Sequence, residues 1–254
     1  MSRRLFLLLL SLAIGFATSG WCAERTVVLT SLEWPPYTGA ALTRGGASGE
    51  VVRTAFESMG YVVEVRYFPW KRAVDLALHD PDVDGFYPEY ASSLRSGLFL
   101  YSEAMGSSSL GFAEYAGHDF AWKRLEDLIG LRIGTVKGYV NTEPFDRMVA
   151  DGKLEVDTSV NDLFNLRKVL GGRVDMAAVD VNVFRYLCLT DESLRSRAHL
   201  LKLNDRLLGI NSLHVCFKRG ARGRELLRVF NEGLRRISAG DVQARYLEMI
   251  FPGR

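Results

Sequence analysis

The sequence predicts an α/β protein built as two lobes, and three observations predict it. Short β-branched apolar runs alternate with segments of helical periodicity from Thr26 onward. The alternation restarts partway along, giving two β/α sets of similar size, each suited to a sheet covered by helices. No Pro/Gly/Ser-rich linker, short-period repeat or low-complexity tract separates the sets, so they are expected to share a tight hinge.

Each element follows from local pattern. Residues 26–31 (TVVLTS) are apolar and β-branched, a first strand. Helical spacing of Val51, Val52, Ala55, Phe56 and Met59 predicts a helix over 48–59. A strand is expected at 61–68 (YVVEVRYF), then a helix in PWKRAVDLAL with Pro69 as its first-turn proline, where the missing N–H costs nothing. DVDGFY begins the next strand. The second set opens with the strand SLGFAEYA, a short helix RLEDLIG ending at Gly130, and the strand LRIGTVKG. A helix over 141–150, the strand LEVDT, a helix through NDLFNLRKVLGG, the strand RVDMAAVD and the helix VNVFRYLCL follow. The strand NSLHVCFKRG and the helical stretches GRELLRVFNEGLRRISAG and DVQARYLEMIF come last.

Residues 1–23 read as a cleaved secretory signal: Arg3 and Arg4, an apolar run from Leu5 to Ala17 too short to span a membrane comfortably, then WCAER with cleavage after Ala23. Trp21 directly before Cys22 disfavours lipid attachment. Losing this segment removes two arginines and no acid, taking the formal charge from +2 to zero, so neither nucleic acid nor an anionic membrane is an expected partner. The remaining chain keeps Cys188 and Cys216, which do not make a disulfide scaffold. With no CxxC or HExxH, and with His79, His118, His199 and His214 scattered, neither a metal nor a cofactor is expected. The missing G-x-S-x-G elbow weakens hydrolase readings.

Several motifs then fall in an order of their own: WPPY after the first strand, an aromatic opening the second helix in PWKRAVDLAL, VDG, and an arginine seven residues before a serine in SSLRSGLFLYS. LEDLIGLRIGTVKG, VLGGRVDMAAVD and ARYLEMIF continue the order. In these the chain resembles the periplasmic solute-binding proteins of the polar amino acid type, extracellular solute-binding family 3, from about Arg25 to Phe251. The resemblance implies a type II periplasmic-binding-protein fold: two lobes, each a β-sheet flanked by helices, joined by two crossing hinge strands near 107–110 and 206–212. Lobe 1 is then 24–107 plus 212–254, and lobe 2 is 108–211. It further implies a monomeric periplasmic receptor that traps an amino acid-like ligand between the lobes and presents it to an inner-membrane ABC permease. Cys188 and Cys216 would lie in different lobes, and both are expected as free thiols.

The resemblance also assigns roles. Arg95 matches the arginine that grips the ligand carboxylate, a task suited to a planar fork of donors. Asp180 matches the acid that receives the ligand ammonium, although its position also suits a helix cap. Trp34 and Trp70 match the rings that sandwich the ligand side chain, a setting open to an aromatic group or a cation. Tyr37 is expected to pack beneath the turn. Backbone donors at Tyr139 and Val140 could bind an anion, with Asn141 replacing the hydroxyl usual in this loop.

Two departures stand out: KGYVN lacks the loop threonine, and GFYPEYASS replaces a run of small and hydroxyl residues with Tyr87, Pro88 and Glu89. Glu89 could neutralise Arg95, hold the basic end of a ligand, or do proton chemistry. No catalytic residue is expected under the receptor reading. The alternative is an enzyme on the same scaffold, similar to a cyclohexadienyl dehydratase, with Glu89 as general acid.

Overall fold

A computed structural model describes residues 25–253. The expected signal segment lies outside the described residues. Strand β1 (Arg25–Ser31) is followed by α1 (Gly46–Glu57), β2 (Tyr61–Tyr67), α2 (Trp70–His79) and β3 (Gly85–Tyr90). Next come α3 (Ser93–Ser96), β4 (Phe99–Tyr101) and the long β5 (Gly106–Tyr115). The second half contains β6 (Arg132–Val136), α4 (Glu143–Ala150), β7 (Glu155–Ser159), α5 (Asp162–Leu170), β8 (Met176–Asp180), α6 (Val181–Thr190), α7 (Glu192–Arg195) and β9 (Leu201–Leu203). Strand β10 (Gly209–Lys218) returns to the first half, and α8 (Ala221–Arg236) and α9 (Ala239–Ile250) pack against α1.

The strand order is β2-β1-β3-β10-β5-β8-β6-β7, with β4 on β10 and β9 on β5. Parallel pairs β1/β2 and β1/β3 in one half repeat as β6/β7 and β6/β8 in the other. Between them β5 and β10 run antiparallel, Gly106 to Leu110 against Leu213 to Gly209. The two crossing strands expected between the lobes are β5 and β10, and their backbone hydrogen bonds carry the sheet of one half into that of the other, because two strands that cross side by side pair with each other.

Burial follows the two halves. Phe56, Phe86, Phe99, Phe217 and Phe230 centre the core of the first, which runs on into the second, while Phe112, Trp122, Phe145 and Met176 form a smaller cluster under β6 and β8. Cys188 in α6 and Cys216 in β10 are free thiols. Among the described residues no helix is long and apolar enough to cross a membrane.

Some local expectations change. Pro69 is the cap of α2, not a residue inside its first turn. The short helix expected at 124–130 is a 3₁₀ turn, Leu125–Leu128. Strands β4 and β9 escape sequence reading because three residues carry no usable periodicity.

One packing contact sets up the site. The stretch 34–38 folds as a tight turn, with Trp34 and Thr38 exchanging backbone hydrogen bonds at 2.9 and 3.1 Å. The start of α1 docks on it: Ala47 N–H donates to Pro36 O at 2.9 Å and Ser48 N–H to Tyr37 O at 2.8 Å. Gly46 permits this approach, since its φ is +93° and a Cβ there would sit 2.5 Å from Tyr37 O.

Candidate functional site

The turn built from WPPYT presents two rings on different sides of one job. Trp34 stacks on Tyr37 with centroids 4.6 Å apart and meets the edge of Tyr90 at 6.2 Å. Tyr37 is fully buried, in keeping with its expected packing role, and its hydroxyl reaches the other half of the molecule. There it donates to Asp180 Oδ2 at 3.2 Å and accepts from Asn182 Nδ2 at 2.8 Å.

Trp70, at the first position of α2, reaches residues of the second half. Its ring packs edge-on against Phe86 and Tyr139, and its Nε1 donates to Gly138 O at 3.1 Å. Arg95 meets the same carbonyl: Nη2 donates to Gly138 O at 3.0 Å, while Nη1 donates to Glu89 Oε2 at 2.6 Å. Its guanidinium carbon stands 5.9 Å from the Trp70 ring centre, a cation–π distance.

Glu89 is therefore the neutralising partner of Arg95, one of the three roles open to it from sequence. It stands one residue before the end of β3, almost entirely buried at 3% exposure, and its second oxygen accepts from Tyr90 N–H at 3.0 Å. Burial outweighs the lowering pull of Arg95 and that N–H, and pushes the carboxyl up to about 7.

Leu32, Trp34, Trp70, Glu89, Tyr90 and Tyr139 contribute to the wall of a cavity of about 40 Å³, which Pro88, Val140 and Leu213 complete. Space on this scale suits water; roughly 150 Å³ is what an apolar cavity needs to take up benzene. Entry of an amino acid-sized molecule requires the halves to part.

Of the eight sequence-predicted residues, the structure brings Trp34, Trp70, Glu89, Tyr139 and Val140 to this cavity. Arg95 stands behind Glu89. Asp180 lies deeper and off the wall, where it caps α6. Its Oδ1 accepts from Asn182 and Val183 N–H at 2.7 and 3.0 Å, and Oδ2 accepts from Ser108 Oγ at 2.6 Å as well as from Tyr37. Burial raises its carboxyl to about 6, against the lowering effect of those donors. Asn141 also departs from expectation: its N–H and Nδ2 both donate to Asp146, a local use that holds the chain at the start of α4. The Tyr139 N–H, expected as an anion donor, is spent on Val136 O at 3.1 Å.

Sequence reading missed Gly138 and Tyr90. Gly138 acts through a backbone carbonyl, which no residue type announces. Tyr90 was signalled only as the second tyrosine of YPEY. Among the described residues no cluster of His, Cys, Asp or Glu suits a metal ion.

No family profile matches the chain, and no curated protein sequence matches it. Solved structures do. The chain is similar to the crystal structure of a histidine kinase sensor domain with similarity to periplasmic binding proteins, at TM-score 0.74 and 22% identity, covering 88% of this chain and 96% of that one. It is similar to an amino acid ABC transporter substrate-binding protein of Streptococcus pneumoniae bound to L-arginine, at TM-score 0.70 and 16% identity over 88% of this chain and 92% of that one. An ancestral amino acid-binding protein, a precursor of cyclohexadienyl dehydratase, matches at TM-score 0.68 and 16% identity over 89% and 94%. With the sheet topology, these define the fold: the protein has the two-lobed periplasmic-binding-protein architecture of type II.

Proposed function

We propose that the protein is an exported, monomeric receptor that captures a small polar solute, an amino acid or a related compound, for an inner-membrane ABC permease from the periplasm. The lobes that part and close are 24–107 plus 212–254 and 108–211. The observation that carries this reading is the convergence of Trp70 and Arg95 from one half on a single carbonyl, Gly138 O, of the other, beside an aromatic cavity. Such contacts exist in a closed state and are lost in an open one. A ligand that bridges the same surfaces stabilises closure by its differential affinity for the two states. The neighbours that bind amino acids share the architecture and support the choice of solute.

A thermal-shift panel of amino acids, polyamines and prephenate-like acids on the mature protein tests this. Stabilisation by one ligand class, recovered chemically unchanged after incubation, is the expected result. No stabilisation by any class would overturn it.

A second reading has a specific observation behind it. A buried carboxyl near 7 can hold a proton at neutral pH, which is what a general acid needs, and one neighbour is a dehydratase precursor. Under that reading the cleft is a lyase site of cyclohexadienyl dehydratase type. Conversion of a prephenate-like acid to an aromatic product, lost in Glu89→Gln, would replace the receptor assignment.

A further inference from the structure

We propose that the ligand is an organic cation, an amine or a guanidine, for which Glu89 is the counter-ion, and that Arg95 is a strut between the halves. The proposal rests on the receptor reading and narrows its ligand.

The cavity wall is the first ground. Its one charged side chain is an acid, Glu89, surrounded by the rings of Trp34, Trp70, Tyr90 and Tyr139. Aromatic faces carry negative potential and attract cations most strongly where water is excluded. The structure already contains an instance, since Arg95 places its guanidinium 5.9 Å from the centre of Trp70. A carboxylate has about four acceptor positions, and Glu89 uses one on each oxygen, for Tyr90 N–H and for Arg95. Acceptor capacity remains on both.

The second ground is that neither half of a zwitterion clamp is in place. Arg95 commits Nη1 to Glu89 and Nη2 to Gly138 O. Arg95 keeps three further N–H donors, but it does not line the cavity, so a ligand carboxylate inside it would meet the acid Glu89 first. Asp180, the other expected pole, is satisfied by Ser108, Tyr37 and two backbone N–H groups and does not reach the cavity. A cation admitted when the halves part joins Glu89 from the cavity side while Arg95 keeps its hydrogen bond to the same acid.

Pairs of ligands differing only in a carboxylate test this directly: arginine against agmatine, lysine against cadaverine, tryptophan against tryptamine. Each is titrated calorimetrically into the mature wild-type protein. The proposal expects at least one amine to bind as tightly as its parent amino acid or tighter. Glu89→Gln should then weaken that amine by about tenfold or more, the scale of one charged hydrogen bond. Binding of an amino acid whose amine does not bind overturns the proposal and leaves the receptor reading standing. Binding of neither member of any pair, with no other solute stabilising the protein, overturns both. Should Glu89→Gln fail to fold, the wild-type comparison alone decides.

Discussion

Glu89 and Arg95, six residues apart, form an ion pair at 2.6 Å in which the acid is almost wholly buried and the base reaches across the cleft. Two residues that the family resemblance would place on a ligand are each other's partners in this structure.

Arg95→Ala should be strongly destabilising, by about 3–5 kcal/mol, because it strands a buried carboxylate and removes a link to Gly138 O. Adding Glu89→Gln should restore part of the loss, since the stranded group is then neutral. Urea unfolding of the single and double variants measures both. A double variant less stable than Arg95→Ala would contradict the pairing argument.

Tyr37→Phe keeps the ring stacked on Trp34 but removes the hydroxyl that bridges to Asp180 and Asn182. A loss of about 1–3 kcal/mol is expected, as buried polar groups on the far side lose a partner. Small-angle scattering should also show a larger radius of gyration than wild type, because the lost hydrogen bonds join the two halves.

Stability should fall as pH rises from about 5 to about 8. Glu89 and Asp162 are raised to about 7 and Asp180 to about 6, in each case first by burial, with the Asp180 charge adding to Asp162. The folded chain therefore holds these protons more tightly than the unfolded chain does. Their contribution is fully present below the ordinary carboxyl range and is lost as pH climbs through the raised values. The exposed acids Glu126 and Asp127 and the partly buried Asp191 shift the other way and act only at lower pH. Denaturation midpoints that stay flat or rise over this window would refute the assignment.

Gly46→Ala should cost about 1–3 kcal/mol, since it combines a positive φ with a Cβ 2.5 Å from Tyr37 O. Relief requires the 34–38 turn to move, so the Trp34 environment should change in fluorescence along with stability.

Much of the fold was legible because its elements are long and periodic. The spacing of Val51, Val52, Ala55 and Phe56 placed α1 within about two residues at each end, and YVVEVRY showed β2 by β-branching. The aromatic part of the site was legible too, since WPPY and PWKR put rings at the exits of β1 and of the β2–α2 connection. The polar part was not. Asp180 stands where either a cap or a ligand contact would stand, and only its four donors reveal which use it has in this state.

The sequence by itself determined the order of the longer strands and helices, the aromatic residues of the turns and the presence of one acid near one arginine. Local periodicity and turn chemistry settle such things within a few residues of chain. Only the tertiary structure decided that Glu89 faces the cavity while Arg95 spans it, that Asp180 is spent inside, and that Gly138 receives two donors from the opposite half. Those outcomes depend on distances between segments tens of residues apart. Which hydrogen bonds form there is set by the close approach of the two halves around β5 and β10, a global property that no local pattern encodes.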